Sequence, residues 1–173
     1  MSNNQNIRVG ILMGSDSDWP KIKAVAAALD EFEIGYEVQV MSAHRTPELV
    51  TQYASSAKER GLQVVIAAAG GAAHLAGVCA AHTILPVIGI PVPTDLAGGL
   101  DSLLSTVQMP GDIPVATVGA GMGGPRNAGL LAVQMIALTD PALSEKLVQY
   151  KQNLVEKVKQ RNESLQATIR NET

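Results

Sequence analysis

Tyr36-Glu37-Val38-Gln39-Val40-Met41-Ser42-Ala43-His44-Arg45-Thr46-Pro47 decides how the rest of the chain is read. Its first half alternates, Tyr36, Val38 and Val40 against Glu37 and Gln39, which is the period-two pattern of a strand. Its second half ends in Thr46-Pro47, a helix-start signal, because proline in the first turn gives up only an amide hydrogen that the helix does not use. Ser42, His44 and Arg45 therefore fall on a strand-to-helix loop. In open α/β sheets such loops lie at the carboxyl ends of the strands, where ligands bind. Imidazole is the side chain whose charge changes near neutrality, and here it stands beside a permanent cation and close to a hydroxyl. That trio can hold a phosphate and move a proton in one small volume, although a Ser-Ala-His-Arg run in a loop is also ordinary solvated surface.

Outward from this stretch the chain alternates strand and helix. Ile7 to Met13 is a short apolar run suited to a buried parallel strand, and a helix from Trp19-Pro20 to about Phe32 is carried by Ile22, Val25, Ala26 and Leu29. On the other side, a helix runs from Pro47 to about Arg60, with Gly61 as its stop. Val64 to Ala69 reads as the third strand, Ala73 to Ala81 as a helix of small residues, and Val87 to Ile90, between Pro86 and Pro91, as the fourth strand. A short helix over Leu100–Val107, a strand over Val115–Val118 and an apolar helix from about Pro125 to Leu138 complete the series. Such alternation implies a parallel sheet covered on both faces, and right-handed crossovers make it a three-layer αβα sandwich. The expected fold is thus α/β and flavodoxin-like, with a parallel five-stranded sheet and an extra C-terminal helix. Residues 7–139 form the core of a single domain, 1–173, and 140–168 a tail helix. In the tail, Leu143, Leu147, Leu154, Val155 and Val158 share one stripe, which must dock on its own domain or on a neighbouring subunit.

Composition narrows the function. Hydrophobic residues make up 46% of the chain but aromatic ones only 3%, with 16 glycines, so the core is built from Ala, Val, Ile and Leu. Thirteen basic and 16 acidic residues leave a net charge of −3 without a basic cluster, which argues against a nucleic-acid partner. The single cysteine, Cys79, excludes an internal disulfide and reads as a buried, inert thiol. The three histidines lack ligand spacing and a carboxylate pair, so no metal is expected. No apolar run is long enough for a bilayer, and Met1–Asn6 lacks the apolar core of a signal peptide; the expectation is a cytoplasmic protein with no membrane partner.

Two further stretches carry chemistry-bearing residues. Gly14-Ser15-Asp16-Ser17-Asp18 joins the first strand to its helix, and hydroxyls with free amides at a helix start suit a phosphate. Asp18 suits sugar hydroxyls instead, as a hydrogen-bond acceptor. The same Ser and Asp residues are also ordinary helix caps. Neither a Walker loop nor the dinucleotide fingerprint is present. Ala67 to Gly77 turns through Gly70-Gly71 at the same sheet edge and holds one titratable group, His74; a lone His in an apolar run is also commonly structural. His82 has no companion group. Gly119–Gly124 resembles a phosphate loop by composition only, and a Ser15–His44–Asp18 acyl-transfer set lacks the nucleophile-elbow pattern.

Taken in series, Gly14-Ser15-x-Ser17-Asp18, Ser42-Ala43-His44-Arg45-Thr46-Pro47 and Gly70-Gly71-Ala72-Ala73-His74-Leu75 resemble the class I PurE family, the 5-(carboxyamino)imidazole ribonucleotide mutases of purine biosynthesis. The likeness covers about residues 7–139. The Ser-Ala-His-Arg-Thr-Pro form is similar to the mutases rather than to the animal-type carboxylases, which carry Ser-Ala-His-Lys-Gly-Pro there. The resemblance implies a ribonucleotide substrate whose carboxylate moves from the exocyclic nitrogen to ring carbon 4, without ATP, metal or organic cofactor. It implies His44 as general acid/base, with Ser15, Asp18 and Arg45 contacting substrate, Ser17 and Ser42 holding phosphate, and Gly71, His74 and Leu75 lining the reacting end. It also implies a homo-octamer with sites at subunit junctions. A direct aminoimidazole ribonucleotide carboxylase and a nucleotide-binding module without turnover remain the alternatives. Ala76 stands where the family usually has Pro and Val78 where Met is common, both expected at the pocket lip; Gly119–Gly124 also departs from the family.

Overall fold

The computed structural model describes residues 6–172, so Met1 to Gln5, most of the stretch that lacks a signal peptide's apolar core, lie outside the described residues. The chain divides into two compact units, 1–136 and 137–173.

In the first unit β1 (Ile7–Met13) leads through a 3-10 turn (Asp16–Asp18) to α1 (Trp19–Ile22) and α2 (Ala24–Glu31). β2 (Gly35–Val40), α3 (Pro47–Ser56), β3 (Val64–Gly70), α4 (Leu75–His82) and β4 (Val87–Val92) follow. α5 (Leu100–Val107), β5 (Ala116–Thr117) and α6 (Gly123–Ala137) complete it. All strand pairs are parallel and the sheet order is β2-β1-β3-β4-β5, the flavodoxin-like order. The order reverses between β1 and β3, and the crevice beyond the carboxyl ends of those strands is the expected ligand position.

The fold forms because the central strands are apolar on both faces. Val9, Ile11, Leu12, Val65, Ile66 and Ile88 are fully buried. With so few aromatics, layers approach closely through small residues. Gly129 of α6 shows how closely: a Cβ there would lie 2.7 Å from Ala28 Cβ and 2.8 Å from the Val25 carbonyl oxygen on α2. A backbone carbonyl cannot swing aside. Gly129→Ala is therefore expected to destabilise by about 1–3 kcal/mol, seen as a lower urea midpoint at an unchanged m-value.

β2, at the edge, is fastened to α3 by side chains. Tyr53 Oη donates to Glu37 Oε1 at 2.6 Å, Arg60 donates to the same oxygen, and the guanidinium lies 4.4 Å over the Tyr53 ring. Gly10 leaves the space this needs, since a Cβ there would fall 2.2 Å from Tyr53 Oη. Burial alone would raise the Glu37 carboxyl, but the two bonds outweigh it and hold the group below its ordinary 4.5. A depressed carboxylate contributes stability above its unfolded value and loses it as pH falls through the folded one. Tyr53→Phe should then cost about 1 kcal/mol at neutral pH. Denaturant titrations should show its deficit shrinking as pH falls below the ordinary glutamate range, where wild-type Glu37 protonates and the bond loses its charge assistance.

Several boundaries differ from the sequence expectation. The first helix is two, because Lys23 (φ −53°, ψ −18°) flattens the turn toward 3-10 geometry. α3 ends at Ser56 and continues as turns to Gly61 (φ 91°), where Leu62 N–H closes onto the Ala57 carbonyl. β4 does not stop before Pro91 but runs through it to Val92. The Gly89 carbonyl accepts from Val118 N–H on the β5 side, and Pro91, two residues on, points the same way. β5 pairs with β4 only as far as Gly89, so the missing proline amide costs no ladder bond. The fifth strand is correspondingly shorter than Val115–Val118.

The second unit is α7 (Pro141–Asn171), which runs past the expected residue 168. Asp140 caps it by accepting from Leu143 N–H at 3.2 Å, with Pro141 in the first turn. Val155 and Val158 of its apolar stripe are exposed in the single chain.

Candidate active site

Three loops leave the carboxyl ends of β1, β2 and β3 and enclose a cleft of about 440 Å³. In the first loop, Ser15 caps the 3-10 turn: its Oγ accepts from Ser17 N–H at 3.3 Å and lies 2.8 Å from Ser17 Oγ. Capping and cleft-lining are thus not rival readings of Ser15. Asp18 lines the same cleft, and burial raises its carboxyl above the usual range, against the pull of Lys21. A carboxyl shifted by desolvation inside a cleft is the kind of group that marks a functional site.

The second loop closes on itself. Ser42 N–H donates to Thr46 Oγ1 at 2.9 Å, while Ser42 Oγ accepts from the amides of His44 and Arg45 at 3.3 Å each. This small ring presents His44 and Arg45 outward. Arg45 Nη2 donates to the Gly14 carbonyl at 2.9 Å, tying the second loop to the first and fixing the guanidinium plane across the cleft.

The third loop turns at Gly71 (φ 69°), a backbone region that favours glycine. Two tight bonds follow, Ala73 N–H to Gly71 O and His74 N–H to Ala72 O, both at 2.9 Å. They bring His74 to the start of α4 with its Nδ1 2.8 Å from His44 Nε2. The rings meet edge-on at 85°, centroids 5.0 Å apart. One nitrogen of this pair must donate and the other accept, so the contact shares a single proton.

Of the residues singled out from sequence, Ser15, Asp18, Ser42, His44, Arg45 and Leu75 line the cleft directly. His74 reaches it through His44, Ser17 through Ser15, and Gly71 is the turn between the lining residues Gly70 and Ala72. Gly14, Ala43, Ala69, Gly70 and Ala72 complete the lining; they fall within the stretches singled out from sequence, though not as individual site residues. Ala76 and Val78 are not at the lip. α4 begins at Leu75, so Ala76 turns its methyl toward the sheet, 3.3 Å from where a Cβ on Gly89 would lie, and Val78 packs on the core.

Elsewhere, Gly121 and Met122 line a different cleft with Lys21 and Pro93. Cys79 is fully buried, and burial pushes its thiol up to about 12, which makes it a poor nucleophile. His44 Nε2 is engaged by His74 and Ser15 Oγ by Ser17, so the Ser–His pairing that acyl transfer needs is not made. Among the described residues no helix is long and apolar enough to cross a membrane.

Fold and site together define a flavodoxin-like α/β protein with a hydrogen-bonded histidine pair in the crevice where its strand order reverses. More particularly, the chain belongs to the AIR carboxylase family, whose profile matches residues 8–157. It is 57% identical over 159 residues to an N5-carboxyaminoimidazole ribonucleotide mutase of Mycobacterium tuberculosis, covering 92% of this chain and 90% of that one. The Thermotoga maritima protein of the same name is 50% identical over 159 residues, with 92% of each chain covered. Among solved structures, Treponema denticola PurE superimposes with a TM-score of 0.78 at 31% identity, over 87% of this chain and 92% of that one.

Proposed function

We propose that this protein is an isomerase of purine biosynthesis. It converts 5-(carboxyamino)imidazole ribonucleotide to 5-amino-4-carboxyimidazole ribonucleotide. The observation that carries the reading is the 2.8 Å contact between His44 Nε2 and His74 Nδ1 at a cleft that also holds Arg45 and two serine hydroxyls. Arg45, Ser17 and Ser42 take the phosphate, Asp18 and Ser15 the ribose side, and the base lies toward the histidines, walled by Gly71 and Leu75.

His44 then acts twice. As an acid it gives a proton to the exocyclic nitrogen, the C–N bond breaks with its electron pair staying on nitrogen, and carbon dioxide is released. Ring carbon 4, electron-rich through the freed amine, attacks that carbon dioxide and forms the new C–C bond. As a base His44 removes the hydrogen from carbon 4, which restores the aromatic ring and its own proton. Atoms and charge balance within the substrate and one protein-held proton. His74, bonded to His44 Nε2, fixes the orientation and tautomer of that ring. The small side chains of Ala43, Ala69 and Ala72 keep the released molecule beside the ring, so that capture competes with escape.

The same reading makes the protein a cytoplasmic homo-octamer whose sites form at subunit junctions, with the apolar stripe of α7 covered by a neighbouring chain. The family's description, AIR carboxylase, favours one second reading: direct carboxylation of the free amine. Rates measured with the N-carboxylated nucleotide, and separately with aminoimidazole ribonucleotide plus bicarbonate, distinguish the two. Rapid conversion of the first and slow conversion of the second is expected; the reverse order would make the protein a carboxylase. Binding of both with no turnover would reduce it to a nucleotide-binding module.

A further inference from the structure

The His44–His74 contact depends on a loop whose hinge is glycine, and glycine does not hold itself. Gly71 sits at φ 69° with the space beside its Cα open: a Cβ at that position would find its nearest neighbour, Asp101 Oδ2, only at 4.0 Å. Side-chain packing at that residue therefore does not fix the conformation. Hydrogen bonds from α5 do. Gly71 N–H donates to Ser102 Oγ at 2.9 Å, and Ser102 Oγ passes its own proton to the Val92 carbonyl at 2.7 Å. A competing acceptor, Asp101 Oδ1, is farther away at 3.4 Å. Ser102 is fully buried, so no water replaces either bond at low cost.

The start of α5 is itself pinned. Asp101 Oδ1 accepts from Ser102 N–H at 2.8 Å and from Thr94 Oγ1 at 2.7 Å. Ser105 Oγ lies 3.1 Å from the Gly71 carbonyl but 2.6 Å from the Asp101 carbonyl, and its single proton favours the shorter contact. Ser102 is thus the principal link, joining the end of β4 to the peptide just after β3.

We infer that Ser102 is a positioning residue for the reaction: its hydroxyl locks the Gly71 peptide and thereby holds His74 against His44. The inference rests on the acid/base reading above. Neither Ser102 nor α5 belongs to the cleft lining, so loss of the hydroxyl leaves the phosphate-side residues in place. The effect should therefore fall on turnover rather than on nucleotide affinity.

The test compares Ser102→Ala with Thr106→Val, which removes another buried α5 hydroxyl, one bonded only within its own helix, to the Ser102 carbonyl at 2.7 Å. With the N-carboxylated nucleotide, Ser102→Ala should lower kcat roughly 10- to 100-fold, with KM changed by less than about 3-fold and a displaced pH profile of kcat. Thr106→Val should leave kcat and its pH profile near wild type. Unchanged kcat in Ser102→Ala, an equal fall in both variants, or a loss confined to KM would each overturn the inference. If Ser102→Ala does not fold, hydrogen exchange of the wild-type protein decides: the Gly71 amide should exchange as slowly as the amides of β3, and exchange at an open-loop rate overturns the lock. Failure of wild type to turn over the nucleotide would instead count against the proposed reaction, which keeps the two failures distinct.

Discussion

Replacing His44 with Asn is expected to lower kcat by about 10²–10⁴-fold while leaving KM and the thermal midpoint close to wild type. The size follows from what the ring is asked to do. In the proposed reaction, protonation of the exocyclic nitrogen and removal of the carbon 4 hydrogen both fall to it, and Asn can donate a hydrogen bond but cannot take up and return a proton. The fold should survive because the His44 side chain belongs to a loop whose internal bonds run through Ser42 and Thr46, not through the imidazole. His74→Asn should be milder, since it removes the partner that holds the shared proton and not the group that delivers it. Steady-state rates on the N-carboxylated nucleotide, with isotope exchange at carbon 4 as a second readout, check both variants. Turnover retained in His44→Asn would take the imidazole out of the chemistry and leave the cleft as a binding site.

How much of this the sequence disclosed depends on the range of the interaction involved. The strands were legible because burial on both faces demands unbroken apolar runs, and Val9–Met13 and Val64–Ala68 are such runs. The alternation of elements then put three loops at one sheet edge, and that part of the site followed from topology. The bond between His44 and His74 did not, because 30 residues of sequence separate them and their meeting depends on one backbone angle at Gly71. Pro91 misled for a related reason. Proline ends a strand only where its missing amide faces a partner, and which side it faces is a matter of pairing, not of sequence. Ala76 was expected at the lip from the family resemblance, yet in a helix adjacent residues face different ways, and of the two Leu75 turns toward the cleft while Ala76 faces the sheet. Ser102 left no sequence signal at all: a serine inside an amphipathic helix looks like any other until the carbonyl and amide it joins are known.

Arg45→Met should raise KM for the nucleotide by roughly 10- to 150-fold with kcat little changed, the loss of one charge-assisted bond to phosphate at about 1.5–3 kcal/mol. The guanidinium is well placed to give such a bond. One of its nitrogens is already spent on the Gly14 carbonyl, which fixes the plane of the group and leaves its other donors toward the cleft, so little side-chain entropy remains to be lost on binding. A phosphate far from the reacting carbon is held equally in ground and transition states, and an interaction of that kind moves KM rather than kcat. Arg45→Lys separates charge from geometry. The ammonium keeps the charge, but as a single point it cannot engage the Gly14 carbonyl and a phosphate in the same fixed fork, so an intermediate KM is expected. Raising the ionic strength should weaken wild-type binding more than that of Arg45→Met, because only wild type retains the ion pair to be screened. Should the Met variant instead lose kcat with KM unmoved, Arg45 would belong with the histidines at the reacting end, and the proposed orientation of the nucleotide in the cleft would have to be reversed.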